Sequence, residues 1–154
     1  MRKTLSILLT LCLFCGLLIG VSNRVLAAEE PDCVDGSYLT DDESSEVTVG
    51  PLTRGVYLKS GSSSIVKQGT GRIAAGGDTS GQQVVSKISV GVRVERLVNG
   101  SWEVYTSWTA TKYNAVYVNS SKVLTVPTGY YYRVCCNHHA NSDSTGSSTN
   151  GIYI

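Results

Sequence analysis

Between residues 82 and 97 the chain alternates. Val84, Ile88, Val90, Val92 and Val94 fall on one parity, and Val85, Lys87, Ser89, Gly91, Arg93 and Glu95 on the other. Period-two patterning of this kind predicts a strand with one dry face and one wet face. Asn99-Gly100 follows and marks a hairpin, because Asn and Gly tolerate the positive φ angles a tight turn needs. The returning strand is expected over 101–111.

Loop length decides what that second strand shows to the core. A two-residue Asn-Gly turn sets Val94 opposite Tyr105 and Val92 opposite Ser107, leaving Trp102, Val104 and Trp108 on the wet face. A three-residue loop, Val98-Asn99-Gly100, sets Val94 opposite Val104, Val92 opposite Thr106 and Val90 opposite Trp108. The second register gathers the apolar residues on one face, and a slip of one residue undoes it. It is the expected one.

Shorter apolar runs punctuated by Gly, Pro, Asn and Ser predict further strands at 47–49, 54–59, 63–67, 70–74, 113–118, 122–126, 130–136 and 152–154. Residues 76–81 and 141–150 read as polar loops. No helical stripe of useful length appears beyond the N-terminus. Met1 and Phe14 are the only Met and Phe in the chain, so the apolar content of the rest is Val, Ile, Leu, Tyr and Trp, which suits a pleated, half-buried surface. The expected fold is all-β: a single antiparallel β-sandwich, or small barrel, of eight to nine short strands, with no repeat and no second domain.

The N-terminus has a different texture. Arg2 and Lys3 precede an apolar run over residues 5–21, and Val25-Leu26-Ala27-Ala28 follows a short polar stretch. This three-part pattern predicts a secretory signal peptide over 1–27, with cleavage after Ala27, or after Ala28 as the alternative. An uncleaved membrane anchor is the rival, although the run is short for a span of about 20 residues. The expected location is secreted, extracellular or cell-wall associated, with membrane contact through the signal segment during export.

Charge is also divided. Glu29, Glu30, Asp32, Asp35, Asp41, Asp42, Glu43 and Glu46 lie in a stretch without a base, while residues 47–154 hold ten bases against four acids. The expected organisation is an acidic flexible leader at 28–46 followed by a mildly basic β domain at 47–154. Six net positive charges without a basic run are a weak footprint for nucleic acid, which is excluded as a partner. Three cysteines follow the signal segment: Cys33, Cys135 and Cys136. Export permits a disulfide. Neighbours on a strand face opposite ways, so at most one of Cys135 and Cys136 can meet Cys33.

Tyr130-Tyr131-Tyr132-Arg133-Val134-Cys135-Cys136-Asn137-His138-His139 is the densest cluster of functional side chains. Alternation puts Tyr131, Arg133, Cys135 and Asn137 on one face and Tyr130, Tyr132, Val134 and Cys136 on the other. If one set is core, the other offers flat aromatic rings with polar tips, suited to sugars, glycans or peptides. The candidate binding surface is Tyr131, Arg133, Tyr105, Arg93, His138 and His139. Adjacent histidines rarely converge on one metal ion and no second ligand pair stands elsewhere, so neither metal nor cofactor is expected. Cys135 or Cys136 with a histidine is the sole covalent-catalysis candidate. No Gly-x-Ser-x-Gly elbow, phosphate loop or carboxylate pair accompanies it, and no enzyme is expected.

Arg54-Gly55-Val56-Tyr57-Leu58, Val94-Glu95-Arg96, Trp102, Ser107-Trp108, Asn114-Ala115, Gly129 to Val134, His139-Ala140 and Thr149 to Ile152 together resemble a family of small secreted proteins of Gram-positive, clostridia-type bacteria, a domain of unknown function. The resemblance covers most of residues 50–154, does not include the paired cysteines, and implies an exported β domain without known catalytic or binding residues. The expected function is a non-enzymatic secreted or surface-associated module that binds a glycan, cell-wall polymer or host surface. A bacteriocin or toxin-like protein acting on neighbouring cells, and an enzyme with a cysteine nucleophile, are the alternatives.

Overall fold

Two strands of unusual length organise the protein. The computed structural model describes residues 32–50 and 55–154. In chain order its strands are β1 Cys33–Val34, β2 Ser37–Thr40, β3 Ser44–Val49, β4 Leu58–Lys67, β5 Arg72–Val98, β6 Ser101–Thr125, β7 Tyr131–Ala140, β8 Asp143–Ser148 and β9 Gly151–Tyr153. The described residues hold no helix, so the fold is all-β, as the alternation implied. β5 and β6 pair along nearly their whole length. On its other side β5 pairs first with β4, from Ile73 to Gly81, and then with β7, from Ile88 to Arg96.

The sheet therefore has two halves that share β5 and β6. β3, β4 and the N-terminal part of β5 make one; β7, its neighbours β8 and β9, and the C-terminal part of β5 make the other. The sheet curls so that the inner faces of the halves meet. Ile65, Ile73, Ala75 and Val118 from the first half pack with Ile88, Val90, Val92, Val94, Tyr132, Val134 and Ile152 from the second.

The corner lies at residues 81–84, where the β5–β6 register breaks between Ser80 and Val85. Alternation does not carry through such an irregularity. Val84, expected in the core with Ile88, is 66% exposed, and Val85 is buried in its place.

The expected loop at 76–81 is instead the middle of β5. Its glycines serve close approach rather than turning. A Cβ on Gly77 would lie 2.5 Å from both Cys136 Sγ and the Ser62 carbonyl oxygen, and one on Gly76 would lie 2.8 Å from Ser121 Cβ. Residues 141–150, also expected as a loop, contain β8.

The hairpin at Asn99-Gly100 differs from the expected register. Both residues have positive φ, 50° and 78°, and Val98 faces Ser101, so the turn has two residues. A bulge at Tyr105 then shifts the register by one residue in the sense opposite to the expected loop, which restores the expected parity but leaves Val104 facing Glu95 and exposed. Beyond it Val94 faces Thr106, Val92 faces Trp108 and Val90 faces Ala110. Trp108 reaches the core face by a bulge, and Trp102, before the bulge, stays outside.

The segment expected as a flexible leader over 28–46 is built into the sheet from Cys33 onward. Asp35 and Gly36, with φ of 47° and 75°, turn β1 back onto β2. β2 runs parallel to β9, which makes the sheet mixed rather than wholly antiparallel. β3 begins at Ser44, three residues ahead of the expected start. The expected signal peptide at 1–27 lies outside the described residues.

Candidate functional site

Arg133 was expected at the surface, and the structure buries it. Its Nε donates to Glu95 Oε2 at 2.7 Å. Its Nη1 donates to Ser37 Oγ at 3.1 Å and to the carbonyl oxygens of Asp35 and Val34 at 3.2 and 3.4 Å. The guanidinium carbon lies 4.4 Å from the centre of the Trp102 ring, and Trp102 Nε1 donates to the same Val34 carbonyl at 3.1 Å. The β1–β2 turn and Trp102 thus roof the outer face of β7 at Arg133, so both faces are covered there, while Asn137 and His139 further along the same face are exposed. The one-face-wet reading of residues 130–139 therefore fails at Arg133 and Cys135 and describes only the far end of the strand.

Arg93 is half-exposed and donates to the other oxygen, Glu95 Oε1, at 2.6 Å. Burial pushes the Glu95 carboxyl up, but the two guanidiniums outweigh it and hold the group below its ordinary value.

His138 is also buried. Its Nδ1 lies 2.9 Å from Thr79 Oγ1 and its Nε2 2.8 Å from Ser147 Oγ. Thr79 Oγ1 already donates its single proton to the Ser89 carbonyl at 3.0 Å. It must therefore accept from His138, which fixes the neutral tautomer with the proton on Nδ1 and Ser147 as donor to Nε2. Burial lowers the His138 pKa, against the raising effect of the Asp78 carboxylate. This is a structural histidine.

The remaining expected residues are dispersed. The rings of Tyr131 and Tyr153 pack with centres 5.1 Å apart. Tyr105 meets Tyr132 edge to face at 5.8 Å, beside Arg96. His139 is exposed and lines a hollow with Lys87, Ser89 and Asn141. The six positions do not form one surface.

The cysteines are likewise apart. Cys33, Cys135 and Cys136 are all free thiols, so the candidate bridge from Cys33 is not formed. The alternation argument holds: Cys135 faces Glu95 and Ser148, and Cys136 faces the Gly76 carbonyl in the core. Cys33 is exposed on β1. Burial raises both Cys135 and Cys136, the latter to about 12, so both are protonated thiols at neutral pH and neither is a ready nucleophile.

A different set of residues converges on the outer face of the β3–β4–β5–β6 half. Ser62 pairs with Asp78, and Asp78 with Asn119; Glu46 pairs with Ser64, Ser64 with Gly76, and Gly76 with Ser121. Cross-strand partners share a face, so two ladders of short polar side chains lie side by side. Gly76 lets Ser121 approach closely between the ladders. The result is an open hollow of about 170 Å³ lined by Glu46, Ser62, Ser64, Asp78, Asn119 and Ser121, with Tyr117 at its edge. Ser62 Oγ donates to Asp78 Oδ1. Burial and the Asp78 charge raise the Tyr117 phenol, which keeps its proton as a donor. Among the described residues, no cation lines the hollow. Its walls offer hydroxyl and amide donors, carboxylate acceptors and one partly exposed aromatic ring.

Sequence reading missed this site because 76–81 looked like a loop. The available signal was the spacing of Ser62, Ser64, Asp78, Asn119 and Ser121, each on the parity opposite to the buried positions Ser63, Ile65, Thr79 and Val118.

Residues 26–153 match the sequence pattern of a family described as "Family of unknown function (DUF6147)", and the chain belongs to that family. No curated protein matches the chain. Among solved structures, Spo0M, a sporulation control protein from Bacillus subtilis, is similar with a TM-score of 0.37 at 8% identity. The match covers 73% of this chain and 50% of that one, so the chain spans half the length of that neighbour.

Proposed function

We propose that this chain is an exported, non-enzymatic β module of a Gram-positive cell envelope that binds a polyhydroxylated ligand, a glycan or cell-wall polymer, in the Asp78 hollow. The observation that carries the reading is the convergence of polar side chains from four strands on one hollow beside Asp78, with Tyr117 among them. A sugar ring carries alternating hydroxyl donors and acceptors on its edge and an apolar C–H face. Carboxylates, amides and hydroxyls match the edge, and an aromatic ring matches the face. Strands hold these groups more rigidly than loops do. Export is supported by the signal-like pattern of residues 1–27.

The test is retention of the purified chain on a glycan array and on isolated peptidoglycan, followed by titration with the retained sugar. Asp78→Ala and Asn119→Ala each remove a polar partner, worth about 1.5–3 kcal/mol for a charged group and about 1 kcal/mol for a neutral one. The expected loss of affinity is roughly tenfold or more for Asp78→Ala. The reading fails if no glycan is retained, or if both variants bind as well as the wild type.

A further inference from the structure

The opposite half of the sheet carries a hollow of the other electrostatic sign. It measures about 260 Å³ and lies where β5 leaves the corner and meets the end of β7, lined by Lys87, Ser89, His139 and Asn141. Ser89 and His139 are direct cross-strand partners. Ser89 is only 7% exposed, so its hydroxyl sits at the floor. Lys87 and His139 are exposed at the rim.

Asn141 is held in place by its neighbours. Its φ is 51°, its backbone N–H donates to the Lys87 carbonyl at 2.9 Å, and its Oδ1 accepts from Ser86 Oγ at 2.7 Å and from Lys87 N–H at 3.1 Å. With Oδ1 occupied, what Asn141 has left to offer is its amide N–H₂, a pure donor. The four side chains therefore present an ammonium, an amide N–H₂, a hydroxyl and an imidazole.

Among the described residues, no acid lines the hollow. Asp143, one turn away on β8, is tied to the backbone N–H groups of Tyr57 at 2.7 Å and Leu58 at 3.0 Å. Glu95, further along β5, is neutralised by Arg133 and Arg93.

We infer that this hollow is a binding site for a phosphate group, free or esterified, gripped by Lys87, His139, Asn141 and Ser89. A compact tetrahedral anion with several acceptor oxygens can satisfy four donors on a concave surface. The volume leaves room for an ester substituent. The site is separate from the Asp78 hollow and does not depend on the glycan reading.

The experiment is an amide-resolved NMR titration of the purified full chain at low ionic strength. Probes are inorganic phosphate, poly(glycerol phosphate) and vesicles containing phosphatidylglycerol, with chloride at matched ionic strength as the control. Saturable shifts confined to residues 86–89 and 139–141 are expected with phosphate. The double variant Lys87→Ala/His139→Ala should weaken them at least tenfold, and its spectrum reports whether the fold is kept. Asp78→Ala should leave them unchanged. Tighter binding of the polymer than of free phosphate identifies a soluble phosphodiester as the source, and preferential vesicle binding identifies a lipid headgroup. Shifts no larger than those with chloride, or shifts that survive the double variant, overturn the inference.

Discussion

Arg133 and Glu95 form an ion pair at 2.7 Å in which both side chains are more than nine-tenths buried. The pair ties β7 to β5, and the free end of the guanidinium ties both to the β1–β2 turn. Removing one partner of such a pair leaves a buried charge without compensation, at a cost of about 3–5 kcal/mol. Arg133→Ala should lower stability by that much in chemical denaturation. It should also speed hydrogen exchange in residues 33–40 beyond the global effect. Arg93→Ala removes a half-exposed partner and should cost at most about 1 kcal/mol. Equal costs for the two would show that Arg133 does not anchor the turn.

Acid should weaken the fold in two stages. His138 is lowered from 6.5 chiefly by burial, with the nearby His139 acting in the same direction and Asp78 against it. Below 6.5 the unfolded chain binds a proton that the folded chain resists, so stability falls as pH drops through that region. Glu95 is held below its ordinary value near 4.5, so its contribution is present above that value and is lost as pH falls further. Urea midpoints measured from pH 7.5 to 3 should decline in both windows. His138→Gln, which keeps hydrogen-bonding capacity without titrating, should remove the upper decline. Its persistence in that variant would reassign the effect.

Thiol accessibility separates a structural from a chemical role for the cysteines. Cys33 is exposed, while Cys135 and Cys136 are buried and held protonated. With Cys33 the sole accessible thiol among the described cysteines, iodoacetamide at pH 7.5 should modify it in the native protein and reach Cys135 and Cys136 only after denaturation. Peptide mapping by mass spectrometry reads this directly. Rapid native labelling of Cys135 would revive a nucleophile at that position.

The strand content was legible because alternation survives in a single sequence: residues 86–97 show it plainly, and the core positions Ile88, Val90, Val92 and Val94 follow from it. Asn99-Gly100 located the hairpin for the same local reason. What local pattern could not show was how the ends are covered. The Asp35-Gly36 dipeptide is itself a turn signal, but it stands inside the acid-rich stretch whose composition points to a flexible leader. Burial of Arg133 depends on Trp102, Ser37 and Glu95 meeting from three distant parts of the chain. The Asp78 hollow was hidden for a related reason. Glycines at 76 and 77 read as a turn, whereas here they admit Ser121 and Cys136 at close range. Long-range packing reverses the usual meaning of a glycine pair, and alternation on either side of it does not reveal the change.

Gly61 and His138 should show the strongest energetic coupling in the core. A Cβ added to Gly61 would overlap the His138 ring, so the absence of a side chain on β4 is what lets the imidazole reach Thr79 and Ser147. Gly61→Ala forces the ring to move and should cost about 1–3 kcal/mol through overpacking. His138→Ala empties the site and leaves the buried Ser147 hydroxyl short of its partner, at about 1–3 kcal/mol if unsatisfied, while Thr79 still donates to the Ser89 carbonyl. The two losses are not independent, because the new methyl would occupy part of the space the ring vacates. The double variant Gly61→Ala/His138→Ala should therefore be more stable than the sum of the single losses predicts, by about 0.5–3 kcal/mol, the range found for residues in contact. Denaturant unfolding of the four proteins closes the cycle. Additivity within about 0.3–0.5 kcal/mol would mean that Gly61 is small for some reason other than the histidine above it.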